Sequence, residues 1–224
     1  MLKNMRQRGD TLIEVLFAVS IFAAIMVGTI VIMNQGIASA QNALEINLVR
    51  NQIDTQAELL RHLNNAKLTS IGRNGTNESA DWDNLVGQGS SKGNASYQPS
   101  AEADPYDQIE SFADCKPDQL PGNAFFLNPK PSSSGDDNYV QRKAKIVEAN
   151  VFAQVQPGET ASALPVANML WIQPVASTRD SSSNTLLPLT DYYDFHIRAC
   201  WDSPGAGGGV MKLGTIVRLY VPKQ

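Results

Sequence analysis

The sequence predicts an α+β protein in which one very long N-terminal helix packs on an antiparallel β-sheet, with a loop-rich insertion between them. Three observations predict it. No proline interrupts residues 1–98, and an uncharged apolar run is followed, from Gln35 to Ile71, by apolar residues at helical spacing. Residues 72–143 are dense in Gly, Ser, Asn and Pro. From residue 144 onward, apolar and polar residues alternate in runs separated by short turn-like links.

With 224 residues, 42% of them hydrophobic, the chain has room for one good-sized domain or two small ones with a packed core. A net charge of −4 supplies no basic field for phosphates, so direct nucleic-acid binding is not expected. Neither a cofactor motif nor a catalytic one is present.

Residues 1–9 are polar and basic: Lys3, Arg6 and Arg8 precede the first acid, Asp10. Residues 10–33 read as a membrane segment. Val15 to Met33 is an uncharged run of 19 residues, about 28 Å as a helix, which matches a bilayer core. Positive charge before such a span holds that end in the cytoplasm and sends the rest across. A cleaved secretory signal and a buried core helix are the alternatives; the run is long for the first and too free of charge for the second. Glu14 stands at its mouth, where a carboxylate is expensive unless it has a partner.

Over residues 34–71 the helix is expected to continue as an amphipathic rod, with an apolar stripe at Ile37, Leu44, Leu48 or Val49, Ile53, Ala57, Leu60 and Leu63, and to stop near Gly72. Residues 72–143 read as loops anchored by Phe125, Phe126 and Leu127. Residues 144–224 read as an antiparallel meander, preferred over parallel crossovers because the links are short. In its third strand Tyr193, Phe195, Ile197, Ala199 and Trp201 share one face, while Asp194, His196, Arg198 and Cys200 share the other. Leu213, Thr215, Val217, Leu219 and Val221 repeat the alternation. The amphipathic rod is expected to cover the apolar face.

The basic leader ending in Gly9, the stretch DTLIEVL with Glu14 fifth after that glycine, and the uncharged helix together resemble the class III signal of type IV pilins and pseudopilins. The resemblance implies a pilin-like fold and a structural subunit, not an enzyme. It implies that a prepilin peptidase cuts between Gly9 and Asp10 and that the new amino group of Asp10 is methylated. It also implies that Glu14 pairs with the N-terminal ammonium of a neighbouring subunit in a helical fibre. Partners implied are other pilin subunits, the peptidase, a membrane assembly platform and, before assembly, the lipid bilayer. The stretch YDFHIRACWDSPG…LGTIVRLYV is similar to C-terminal regions of minor pilins. Family members usually begin the mature chain with an apolar residue, whereas Asp10 follows the cleavage site here. Loss of Lys3, Arg6 and Arg8 takes the formal charge from −4 to −7.

Several other residues carry groups capable of chemistry. Cys115 and Cys200 both lie on the exported side, where a disulfide is expected, two buried thiols being the alternative. Asp191, Asp194 and His196 read as a solvated strand face and His62 as a helix-surface residue. Asp81, Asp83 and Asn84, or Asp136, Asp137 and Asn138, offer oxygens to calcium without the spacing of a calcium loop, and no metal site is expected. Asn74, Asn77 and Asn94 match the glycosylation acceptor pattern. Trp82, Trp171 and Trp201 are either core or a binding surface. A membrane-anchored adhesin, or a pseudopilin of a type II secretion or DNA-uptake apparatus, is the competing functional reading.

Overall fold

The computed structural model describes residues 10–72, 76–86, 124–129, 140–141, 146–147, 149, 151–158, 165–176, 190–203 and 209–222. Helix α1 (Asp10–Ser70) is one uninterrupted element of 61 residues, about 92 Å long. In its last turn the hydroxyls of Thr69 and Ser70 donate back to the carbonyls of Ala66 and Lys67. Gly72 then takes φ +74°, a conformation that favours glycine, and the chain turns away.

Within the stretch read from sequence as loops lies a second helix, α2 (Asn77–Val86). Thr76 caps it: its hydroxyl accepts from the Ser79 amide, and Ser79 Oγ donates back to the Thr76 carbonyl. Trp82, Leu85 and Val86 form its buried stripe.

Among the described residues eight strands follow: β1 (Phe126–Leu127), β2 (Val140–Gln141), β3 (Ile146–Val147), β4 (Gln154–Gln156), β5 (Val166–Asn168), β6 (Leu170–Ala176), β7 (Thr190–Asp202) and β8 (Val210–Pro222). The main sheet has the order β6-β7-β8 and is antiparallel throughout, with β7 and β8 paired over their full length. β1 and β2 form a small antiparallel pair. The third sheet, β3-β5-β4, departs from the expected meander because β3 and β5 run parallel, Ile146 beside Ala167. β4 intervenes in sequence and pairs antiparallel with β5, so the parallel partners need no helical crossover. Met169, at φ 44°, breaks the path between β5 and β6 and lets one run of chain serve two sheets.

The α1 and α2 helices pack on one face of the main sheet. Tyr193, Phe195, Ile197, Ala199 and Trp201 meet the α1 stripe of Val49, Ile53, Ala57, Leu60 and Leu63, all buried. Trp82 from α2 lies edge-on to Tyr193 and 5.7 Å from the Phe195 ring centre. The packed stripe starts later than the apolar spacing predicts, since Ile37 and Leu44 are exposed and Leu48 gives way to Val49. The reason is that polar residues occupy core-facing positions. Glu45 is buried and accepts a hydrogen bond from Trp201 Nε1 at 3.1 Å, and Ser203 Oγ donates to Asn42 Oδ1.

Gln56 is wholly buried and acts as a surrogate strand residue. Its Nε2 donates to the Leu127 carbonyl and its Oε1 accepts from the Leu127 amide, both at 2.8 Å. Replacing it with leucine strands two buried backbone groups, at about 1–3 kcal/mol each. Gln56→Leu is therefore expected to lose about 2–5 kcal/mol in urea unfolding of the full chain in a non-ionic detergent, and a loss under about 1 kcal/mol would show that the clamp is dispensable.

Candidate assembly helix and sheet face

The first half of α1 is left uncovered by the rest of the described structure. Every large apolar residue from Leu12 to Met33 is between 49% and 71% exposed. The span is long and apolar enough to cross a bilayer, and none of its most apolar window is buried. A core helix of a soluble domain would be covered. The polar side chains within the span satisfy themselves: Ser20 Oγ donates to the Leu16 carbonyl at 2.7 Å and Thr29 Oγ1 to that of Ile25 at 2.8 Å. Neither then needs water, which is the condition for a polar group in hydrocarbon.

Glu14 is exposed, one turn from the start of α1, between Ile13 and Val15. Asp10 is the first residue of the helix, and Gly9 lies outside the described residues. A carboxylate at the end of a bare apolar rod is costly to place beside hydrocarbon unless it reaches water or a cation.

The family described as the prokaryotic N-terminal methylation motif matches residues 4–30, a stretch that encloses Gly9, Asp10 and Glu14. Residues 4–30 are a type IV prepilin signal. The prepilin signal coincides with the exposed half of α1, and the remainder of the chain has the long-helix-plus-sheet architecture of an α+β pilin-like fold. No curated protein and no solved structure matches the chain.

The other singled-out residues fall elsewhere. His62 is exposed on α1, as expected. Asp81 is buried, and Asp83 is paired with Lys67 at 2.8 Å across the α1–α2 contact, which gives that carboxylate a structural role. Asn84 belongs to the same helix, α2. The second candidate calcium set, Asp136, Asp137 and Asn138, lies outside the described residues, as do Asn74, Asn94 and Cys115. Asn77 opens α2, and the Ser79 of its acceptor pattern is buried in the cap. All three tryptophans are fully buried, which removes them from any exposed binding surface.

The sheet face turned away from α1 is not the solvated face expected from sequence. Asp191 sits near its end, opposite Val221. Asp194 is only 9% exposed and His196 only 5%, with Cys200 likewise buried. Asp194 is held in a two-pronged ion pair, accepting from Arg218 Nε at 2.7 Å and Nη2 at 2.6 Å. This hydrogen-bonded carboxylate raises the Arg218 pKa, and the guanidinium also lies 4.4 Å from the centre of the Tyr192 ring. Burial, reinforced by the Arg198 charge and opposed by Asp194, pushes the His196 pKa down and keeps its ring neutral at physiological pH. A neutral histidine beside an acid already committed to arginine is an internal polar network. Sequence alternation alone could not tell this face from a wet one, because polar residues are the common signature of both.

Proposed function

We propose that the chain is a minor pilin or pseudopilin: a structural subunit cut between Gly9 and Asp10, methylated on Asp10, and drawn from the cytoplasmic membrane into a type IV pilus-like fibre through residues 10–33. The observation that carries this reading is the coincidence of the methylation motif at residues 4–30 with the uncovered apolar half of α1. In the membrane that surface faces lipid, and in a fibre it faces the helices of other pilin subunits. Peptidase and assembly platform supply the chemistry and the work, so the chain itself acts as a building block. Before assembly the protein is a single-pass membrane protein with its domain outside the cytoplasm; afterwards it is part of a surface pilus or of a pseudopilus.

The test is the mass of the native N-terminus combined with shearing of cells. A chain beginning at methylated Asp10 and recovered in the sheared fibre fraction is expected. An uncut chain that stays in the membrane would overturn the proposal in favour of a tethered adhesin.

We further propose that Cys115 and Cys200 form a disulfide. Export across the membrane favours it, and among the described residues no cysteine is free. The closed loop spans about 85 residues, for which the chain-entropy model gives at most ~4–5 kcal/mol. Non-reducing peptide mapping of exported protein is expected to recover the linked pair, and reduction is expected to lower the unfolding midpoint. Two alkylatable thiols in the exported, unreduced protein would refute the pairing.

A further inference from the structure

β8 is an edge of the main sheet: it pairs with β7 and, among the described residues, with no other strand. Its ladder has a definite phase. The amides of Cys200 and Asp202 on β7 donate away from β8, to the carbonyls of Met169 and Ala149, so it is the odd-numbered residues of β7 that face β8. Each of these pairs with an odd-numbered residue of β8. The backbone groups of Gly214, Ile216, Arg218 and Tyr220 therefore point outward from the sheet edge.

Elsewhere α1 satisfies such strand groups with amide side chains. Gln52 Oε1 accepts from the Val155 amide on β4 at 3.3 Å, Gln56 takes both backbone groups of Leu127 on β1, and Asn64 takes the Tyr220 carbonyl. No described group does this for Gly214, Ile216 or Arg218. Side chains leave the same stretch bare, since Gly214 and Thr215 are exposed and Ile216 is 56% exposed. Arg218, the charge best placed to guard the edge, is folded over β7 onto Asp194 and Tyr192.

A row of backbone donors and acceptors at strand spacing fits one kind of partner, another extended backbone. β8 of a second copy does not meet the geometry. Glu45 reaches Trp201, the partner of Met211, and Asn64 reaches Tyr220, so β8 runs in the direction of α1. Antiparallel pairing of two β8 edges would then turn one membrane helix end for end. Parallel pairing of identical edges sets their outward residues level, where a parallel ladder needs a one-residue stagger. An added strand of about five residues also buries less surface than a stable complex of two free proteins needs. It suits a neighbour already held alongside.

We propose that the β8 edge from Gly214 to Arg218 accepts an extended, proline-free segment, other than β8, of a neighbouring subunit, which extends the main sheet and sets an apolar side chain beside Ile216. The identity of that neighbour rests on the fibre reading. The capacity of the edge to take a strand does not, so the two are tested separately.

The first measurement uses the full chain in a non-ionic detergent, titrated with a short fluorescein-labelled peptide of alternating threonine and valine and followed by anisotropy. Saturable binding in the millimolar range or tighter is expected, and the same peptide with adjacent central prolines is expected to bind more weakly by about tenfold or more. Ile216→Pro removes an outward amide without touching the β7 ladder, and Ile216→Lys puts a charge on the edge; each is expected to weaken binding by about tenfold. The lysine variant decides the matter if the proline disturbs folding. Absence of saturable binding, equal binding of the proline peptide, or wild-type binding by Ile216→Lys would overturn strand addition. The second measurement compares residue-resolved amide hydrogen exchange in the detergent-solubilised subunit and in sheared fibres. Protection at Ile216 and Arg218 is expected to rise by about tenfold or more in fibres, with Thr215 and Val217 protected in both. Unchanged exchange at Ile216 and Arg218 would overturn the neighbouring subunit as occupant. A chain that binds the peptide and is missing from fibres would overturn the fibre reading, and this occupant with it.

Discussion

Gly9→Val protein is expected to accumulate in the membrane at full length, while the wild type is recovered as a chain that starts at Asp10. The scissile bond of the proposed cleavage lies between the basic leader and the first residue of α1. A peptidase working at the membrane surface must bring its catalytic groups against the backbone there, and glycine alone presents no Cβ to hold them off. Valine adds two branches at the point of closest approach. A loss of processing of at least about tenfold, equivalent to ~1.4 kcal/mol in the barrier, is expected. Intact mass and immunoblotting of membranes measure it. Normal cleavage of the valine variant, or a wild-type chain that begins elsewhere, would remove the basis of the assignment.

Glu14→Ala is expected to be inserted and cut normally and yet be nearly missing from sheared fibres. Glu14 is exposed in the single chain, at the end of a rod with no other charge up to Met33. Side-by-side packing would enclose it, together with the ammonium of a neighbouring mature chain. Removing one partner of an enclosed pair leaves the other uncompensated, at a cost of about 3–5 kcal/mol, or more than a hundredfold in incorporation. Glu14→Asp, one methylene shorter, is expected to recover only part of the yield. The proportion of subunit in the fibre fraction relative to membranes is the measurement. Equal proportions for wild type and alanine would exclude pairing as the role of Glu14. The acid at Asp10 makes a further comparison informative, since a carboxylate next to the ammonium competes with Glu14 for it.

Much of the architecture was legible because it is governed by periodicity. The run from Val15 to Met33, the stripe from Val49 to Leu63 and the alternation in β7 all repeat with the period of their element, and each emerged where the pattern put it. What was missed depends on tertiary partners. Glu45 and Gln56 look like surface residues in sequence, and only Trp201 and the Leu127 backbone make them core residues. Helix α2 had a readable signal in the Thr76 cap and the spacing of Trp82, Leu85 and Val86, but the glycines and asparagines before it spoke for loop. The parallel β3–β5 pair had no local signal at all, since two-residue strands take their direction from the fold around them. For the candidate site, the motif identified the N-terminal segment from sequence, whereas the burial of Asp194 and His196 on the far sheet face depends on tertiary packing.

The polar ties between α1 and the domain also set how the molecule carries tension. The helix is tied at Glu45 to Trp201, at Gln56 to Leu127 and at Asn64, whose Nδ2 donates to the Tyr220 carbonyl at 3.2 Å. These ties are spread over about 28 Å of helix axis and reach sideways to three different parts of the chain. A pull along the axis thus loads them in parallel, as shear, and does not peel them one after another. Rupture would require the helix to slide as a whole past the sheet, dragging Val49, Ile53, Leu60 and Leu63 out of their seats at once. A domain suspended this way gives way abruptly at a high force and stretches little beforehand, the behaviour of a rivet and not of a hinge.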